Sequence, residues 1–148
     1  MMTSAAHSVL HVDDDPGDAL LMQQACRKGA VTFQLQSVSD GEMAIDYLCG
    51  AGEYTDRERF PLPSLMLLDL KMPRKTGFDV LDWTRGQEKF KCLPVIILTA
   101  SCQEEDIKRA YVLGANSYLV KPVSIHSLTE MIKQVDSYWL RLNQQLTL

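Results

Sequence analysis

The sequence predicts a three-layer α/β sandwich, with a parallel five-stranded sheet between two layers of helices. Three observations carry this prediction. Five short apolar runs alternate with longer stretches of amphipathic spacing along the 148 residues. Strands separated by helices imply parallel pairing through right-handed crossovers. The length suits one domain with a single sizeable core, and 46% hydrophobic against 23% charged residues is ordinary for a globular chain.

The elements follow in order. SVLHV, residues 8–12, is the first strand (β1). It leads into DDDPGD, where Pro16 suits the first turn of a helix (α1) and the aspartates suit its positive N-terminal end. Ala19, Leu20, Met22, Gln23 and Cys26 then carry helical spacing, closed by Gly29. Residues 33–38, FQLQSV, alternate as a half-buried or edge strand does (β2). Ser39, Asp40, Gly41 and Glu42 cap a helix through Leu48 (α2), stopped by Cys49 and Gly50. Residues 51–63 lack periodicity and carry two prolines near their end, which predicts a surface loop with one helical turn. Strand β3 is placed at residues 65–68 and helix α3 at 77–88, with Phe78, Val80, Leu81 and Trp83 inward. Residues 94–98, PVIIL, form a fully buried strand (β4). A helix over 104–113 ends at Gly114 (α4), residues 117–120 form the fifth strand (β5), and 124–143 the last helix (α5).

Composition narrows the function. A formal net charge of −4 argues against a general grip on nucleic acid, which needs a basic face. The longest apolar run, around Leu65–Leu68, is too short to span a bilayer, and MMTSAAHSVL lacks the basic start and apolar stretch of a secretory signal. A cytoplasmic location is expected. Cys26, Cys49, Cys92 and Cys102 form no CxxC or Cys/His cluster, so reduced, mostly part-buried thiols are expected.

In open α/β sheets, ligands sit outside the carboxyl ends of the strands. There the sequence gathers Asp13, Asp14 and Asp15 after the first strand, Asp69 after the third, Thr99 and Ser101 after the fourth, and Lys121 with Pro122 after the fifth. Burying Asp69 unpaired at the end of LMLL would cost several kcal/mol, on the order of the penalty for isolated ions in apolar surroundings. Carboxylates gathered at one edge repel, and a hard divalent ion with oxygen ligands, Mg²⁺ above all, relieves the repulsion. A lysine and a hydroxyl opposite them suit an incoming phosphoryl group. Asp13 to Asp15 could alternatively serve only as cap and dipole partner of the first helix, although one aspartate would suffice for that. His11, two residues before Asp13, reads as a hydrogen-bonded core histidine in preference to a ligand or phosphoryl donor.

The blocks VDDDP, LLDLKMP, ILTAS and YLVKP, in this order and at these separations, resemble the receiver domain of bacterial two-component response regulators, over roughly Val9 to Leu140. The resemblance implies a flavodoxin-like doubly wound sheet ordered 2-1-3-4-5 with five helices. It implies that Asp69 accepts phosphoryl from a sensor histidine kinase or a histidine phosphotransfer protein. Mg²⁺, or Mn²⁺ in its place, would be held by Asp14 directly, Asp13 mainly through water, Asp69, and the backbone carbonyl of Lys71. Thr99 matches the switch hydroxyl, Lys121 the lysine that pairs with phosphoryl oxygens, and the bond from Lys121 to Pro122 the one usually cis. The aromatic switch position falls on Tyr118, for which a strand aromatic with its hydroxyl at the surface is an equal alternative.

The resemblance implies that Lys71 and Ser101 occupy the positions that tune phosphoryl lifetime. Neither is an Asn or acid able to position an attacking water, so slow self-hydrolysis is expected, with Lys71 shielding or pairing the phosphoryl group. The loop at 51–63 and the long last helix resemble stand-alone receivers paired with phytochrome-type kinases. Residues 1–148 are accordingly expected to form a single receiver domain, with its core at about 8–142 and no output domain. It would signal through α4–β5–α5 to a downstream protein, with a homodimer through that face, and without membrane or nucleic-acid partners. Such a chain is no enzyme beyond its own Mg²⁺-dependent phosphorylation and dephosphorylation. Two other readings compete. A phosphorylation-independent pseudo-receiver would lack the acceptor, metal or lysine residues, and all are present. An aspartate-nucleophile phosphatase needs a second aspartate where Lys71 stands.

Overall fold

The computed structural model describes residues 7–148; the segment where a secretory signal was sought lies largely outside them. Strands β1 (Ser8–Val12), β2 (Gln34–Val38), β3 (Leu65–Leu68), β4 (Val95–Thr99) and β5 (Ser117–Val120) alternate with helices α1 (Pro16–Lys28), α2 (Gly41–Cys49), α3 (Gly77–Gly86), α4 (Glu104–Val112) and α5 (Ile125–Val135). All pairings are parallel and the sheet order is β2-β1-β3-β4-β5, as predicted.

The period-two alternation of the central strands splits the core in two. Leu10, Val12, Met66, Leu68, Val95 and Ile97 face one side, packed with residues of α2, α3 and α4. Val9, Leu65, Leu67, Ile96 and Leu98 face the other, against Met22 and Ala25 of α1 and Leu128, Ile132 and Val135 of α5. Both faces of the sheet are covered, which is why β3 and β4 read as unbroken apolar runs. The helix ends are set by local chemistry. Asp15 accepts from the N–H groups of Gly17 and Asp18, Asp40 from Met43, and Ser124 from Ser127. Thr76 and Asp79 form a reciprocal capping box at α3, and Gly50 ends α2 in the left-handed conformation.

Several expectations change. Leu20 does not face the core: α1 buries Met22, Ala25 and Cys26, spaced three and four residues apart, while Leu20, two residues before Met22, falls on the opposite side and is exposed, as is Leu21. Trp83 is only partly buried against the core. The last helix is not uniform, since α5 stops at Val135 and passes into a π-helical segment, Asp136–Leu142. Its first residue, Asp136, turns inward and accepts from the N–H and hydroxyl of Thr32, at 3.1 and 2.7 Å. The cysteines are free, but Cys49, Cys92 and Cys102 are exposed and only Cys26 is buried, a consequence of Cys49 and Cys92 falling at helix ends and loops. Among the described residues no helix is long and apolar enough to cross a membrane.

Candidate functional site

At the carboxyl edge of the sheet, β1 and β3 are neighbours, and the Asp69 N–H continues their ladder by donating to the Val12 carbonyl at 3.0 Å. This brings Asp69 beside Asp13 and Asp14. One carboxylate oxygen from each of Asp13, Asp14 and Asp69 lies within 4.8 Å of the others. Asp13 and Asp69 are buried, at 2% and 6% exposure, whereas Asp14 reaches solvent.

Lys121 answers the excess of negative charge. Its N–H donates to the Thr99 carbonyl at 2.8 Å, which fixes its backbone at the end of β4. Its Nζ lies 2.8 Å from Asp13 Oδ2, 3.3 Å from Asp69 Oδ2 and 2.7 Å from Asp18 Oδ2. The contacts to Asp18 and Asp69 are aligned hydrogen bonds, whereas Asp13 Oδ2 is buried without an aligned donor. Burial pushes the Asp13 carboxyl above its ordinary range, against the pull of Lys121. The same three carboxylates hold the Lys121 ammonium above its ordinary range, even though burial acts to lower it. Three carboxylate oxygens in mutual reach fit a hard divalent cation, and Asp13 also carries a buried oxygen without an aligned donor.

A second network lies beside the first. Thr99 is fully buried and its Oγ1 has no hydrogen-bond partner. The Tyr118 hydroxyl donates to the Ser101 carbonyl at 2.9 Å, so it is engaged with the β4–α4 loop and not free at the surface. Ser101 Oγ donates to Asp106 Oδ2 at 2.6 Å, and Lys71 Nζ pairs with the same oxygen at 3.1 Å. The Ser101 hydrogen bond, then Lys71, holds the Asp106 carboxyl below its ordinary range. The Lys71 side chain is 61% exposed and bridges the β3–α3 loop to α4.

The structure therefore brings Asp13, Asp14, Asp69 and Lys121 into one cluster and joins Lys71, Ser101 and Tyr118 in another. His11 is buried, with Nε2 3.8 Å from Asp13 Oδ2, but its Nδ1 has no partner, so the expected hydrogen-bonded histidine is corrected to a core histidine facing the acidic cluster. Burial, then Lys121, pushes its imidazole down to about 4. The bond from Lys121 to Pro122 is trans, since no cis peptide occurs among the described residues; the expected cis bond is corrected. Trans is the intrinsically favoured form of an X–Pro bond by roughly 0.5–1 kcal/mol, and Lys121 reaches all three carboxylates with it. Asp18 and Asp106 escaped the sequence reading. Each sits in the first turn of a helix, where an acid is fully accounted for by the dipole.

An acidic trio, two of whose members share one lysine, at the carboxyl edge of a 2-1-3-4-5 sheet defines a receiver domain. The chain belongs to the family of the response regulator receiver domain, which matches residues 9–133. It is 35% identical over 132 residues to the response regulator Rcp1 of Synechocystis sp. (strain ATCC 27184 / PCC 6803 / Kazusa), covering 89% of this chain and 88% of Rcp1. The Mn²⁺-bound structure of Rcp1 superposes with a TM-score of 0.82 at 33% identity, over 95% of this chain and 99% of that one. The phosphorylated cyanobacterial phytochrome response regulator RcpA gives 0.87 at 31% identity, over 97% and 100%. The response regulator RPA3017 in red light signaling of R. palustris gives 0.90 at 34%, over 96% and 99%. Such receiver domains are components of two-component systems and are not classical enzymes.

Proposed function

We propose that this chain is a phosphoacceptor receiver, phosphorylated on Asp69 by a sensor histidine kinase or a histidine phosphotransfer protein in the cytoplasm. One observation carries the reading: a buried carboxylate, Asp69, shares Lys121 with Asp13 while Asp13 and Asp14 stand within metal-ligand reach of it.

In the proposed reaction an Asp69 oxygen attacks the phosphorus of a phosphohistidine. The new P–O bond forms as the P–N bond breaks, and its electron pair leaves on the imidazole. Asp13, Asp14, Asp69 and the Lys71 carbonyl would hold Mg²⁺ or Mn²⁺, which supplies neutralising charge to the phosphoryl oxygens. Lys121 supplies the second positive charge. The unpartnered Thr99 hydroxyl is free to donate to a phosphoryl oxygen, which draws the β4–α4 loop and its Tyr118 contact with it. Lys71 and Ser101 offer no carboxylate or amide to position an attacking water, so the aspartyl phosphate is long-lived. The output is a changed α4–β5–α5 face that contacts a downstream protein or a second copy of the chain, as a single receiver domain over residues 1–148.

Intact mass spectrometry with acetyl phosphate and Mg²⁺ tests this. The unchanged chain gains one phosphoryl group and Asp69→Asn gains none. No gain in the unchanged chain would favour the phosphorylation-independent module.

A further inference from the structure

DDDPGD contains two carboxylates that neither the metal group nor the acceptor role absorbs: Asp15, which caps α1, and Asp18. Asp18 lies in the first turn of α1 and is absent from the trio whose oxygens stand within metal-ligand reach. It nevertheless makes the shortest contact of Lys121, at 2.7 Å, as an aligned hydrogen bond across 103 residues of sequence. Its backbone is held in turn: Asp15 Oδ1 accepts from the N–H groups of Gly17 and Asp18, at 2.8 and 3.3 Å. The cap thus fixes the turn that aims Asp18 at the lysine.

An ammonium has three protons, and here they meet three carboxylates. Two of those, Asp13 and Asp69, have work of their own at the site. Asp18 has none, so it is the one partner that can stay with Lys121 throughout. Lys121 and Asp18 line one small cavity together with the apolar side chains of Leu21, Met22, Leu98 and Leu128, and besides Asp18 the carboxylates in reach of the ammonium are Asp13 and Asp69.

We infer that Asp18 is a positioning residue, which tethers the Lys121 ammonium from the α1 side and holds it ready for the phosphoryl oxygens. This inference rests on the acceptor reading of Asp69. Without Asp18 the ammonium is drawn onto Asp13 and Asp69 and is less available to the incoming group.

A double-mutant cycle tests the tether, following phosphoryl gain from acetyl phosphate at saturating Mg²⁺ by intact mass. Asp18→Ala slows the rate constant about tenfold, and Asp18→Asn, which keeps an acceptor oxygen, only about threefold; in a Lys121→Met background Asp18→Ala changes the rate less than about twofold. A second readout needs no phosphoryl group. The Lys121 ammonium, observed by nitrogen-correlated NMR, is protected from exchange in the unchanged chain and loses that protection in Asp18→Ala. Equal slowing in both backgrounds, an Asp18→Ala rate within twofold of the parent, or unchanged ammonium protection each overturn the inference alone. Absence of phosphoryl gain in the parent chain overturns the acceptor reading and this inference with it.

Discussion

The buried imidazole of His11 makes a measurable contribution to pH dependence, and its sign follows from where it sits. In the unfolded chain it takes a proton near its ordinary value of 6.5, whereas burial and then Lys121 push it to about 4 in the fold. The unfolded state therefore binds more protons over that interval, and stability is lost as pH falls from 6.5 through 4. Between pH 7 and pH 5 the loss from this one group is about 2 kcal/mol. The raised Asp13 carboxyl acts in the opposite direction, adding stability as pH falls through the carboxylate range. In metal-free buffer, the unfolding free energy of the unchanged chain from urea titration should drop between pH 7 and 5 by this amount more than that of His11→Gln; equal drops would refute it. At this scale the acidic cluster was legible, because Asp13, Asp14, Asp69 and Lys121 all fall at predicted strand ends. Asp18 was not, since its partner lies 103 residues away and only the folded sheet brings them together. Nor was the trans bond before Pro122, which a family expectation obscured.

Strands marked by short apolar runs were the most legible: β1, β3 and β5 fall where those runs place them. The loop at 51–63 was recognised but not its order. Arg57 donates to the carbonyls of Tyr47, Leu48 and Phe60, while Tyr54 packs 5.1 Å from Tyr47 between ring centroids. A guanidinium closing a helix C-terminus leaves no trace in periodicity. The change from α5 to a π-helical segment is equally silent, for DSYWLRL contains no Gly or Pro to mark it. The start of α3 has a sharper consequence. Gly77 donates its N–H to the Leu70 carbonyl at 3.0 Å, and a Cβ there would overlap the Asp69 carbonyl oxygen. Asp69 is thus seated by the helix that follows it. Gly86, in the same helix, has nothing within 4 Å of such a Cβ. Gly77→Ala should destabilise by about 1–3 kcal/mol through forced backbone separation. Gly86→Ala should stabilise by about 0.4–1 kcal/mol through the unfolded state. Chemical denaturation of the two variants checks the opposite signs, and matching signs would show that Gly77 tolerates the methyl group.

At the scale of the whole molecule, the sheet has one edge at β5, bonded only to β4, and the elements around it expose apolar side chains. Tyr111 and Val112 on α4, Val120 on β5 and Val123 just beyond are 49%, 76%, 41% and 107% exposed. By contrast, α2 and α3 bury most of their apolar residues. Lys71, Ser101 and Tyr118 join this side of the molecule to the residues after Asp69 through Asp106, so a change at Asp69 has a contiguous path of hydrogen bonds and an ion pair to α4. Self-pairing on one such face is isologous and closes as a dimer, which requires roughly 1,200–2,000 Å² of buried surface for stability. One substitution at its centre is then counted twice, once from each copy. Light scattering after size exclusion should give a dimer mass with Mg²⁺ and a beryllofluoride phosphoryl analogue. Val112→Glu combined with Val123→Glu should give a monomer under the same conditions, since four carboxylates would be forced together across the two-fold axis. A monomer for the unchanged chain with and without the analogue would assign the face to a downstream protein instead of to a second copy.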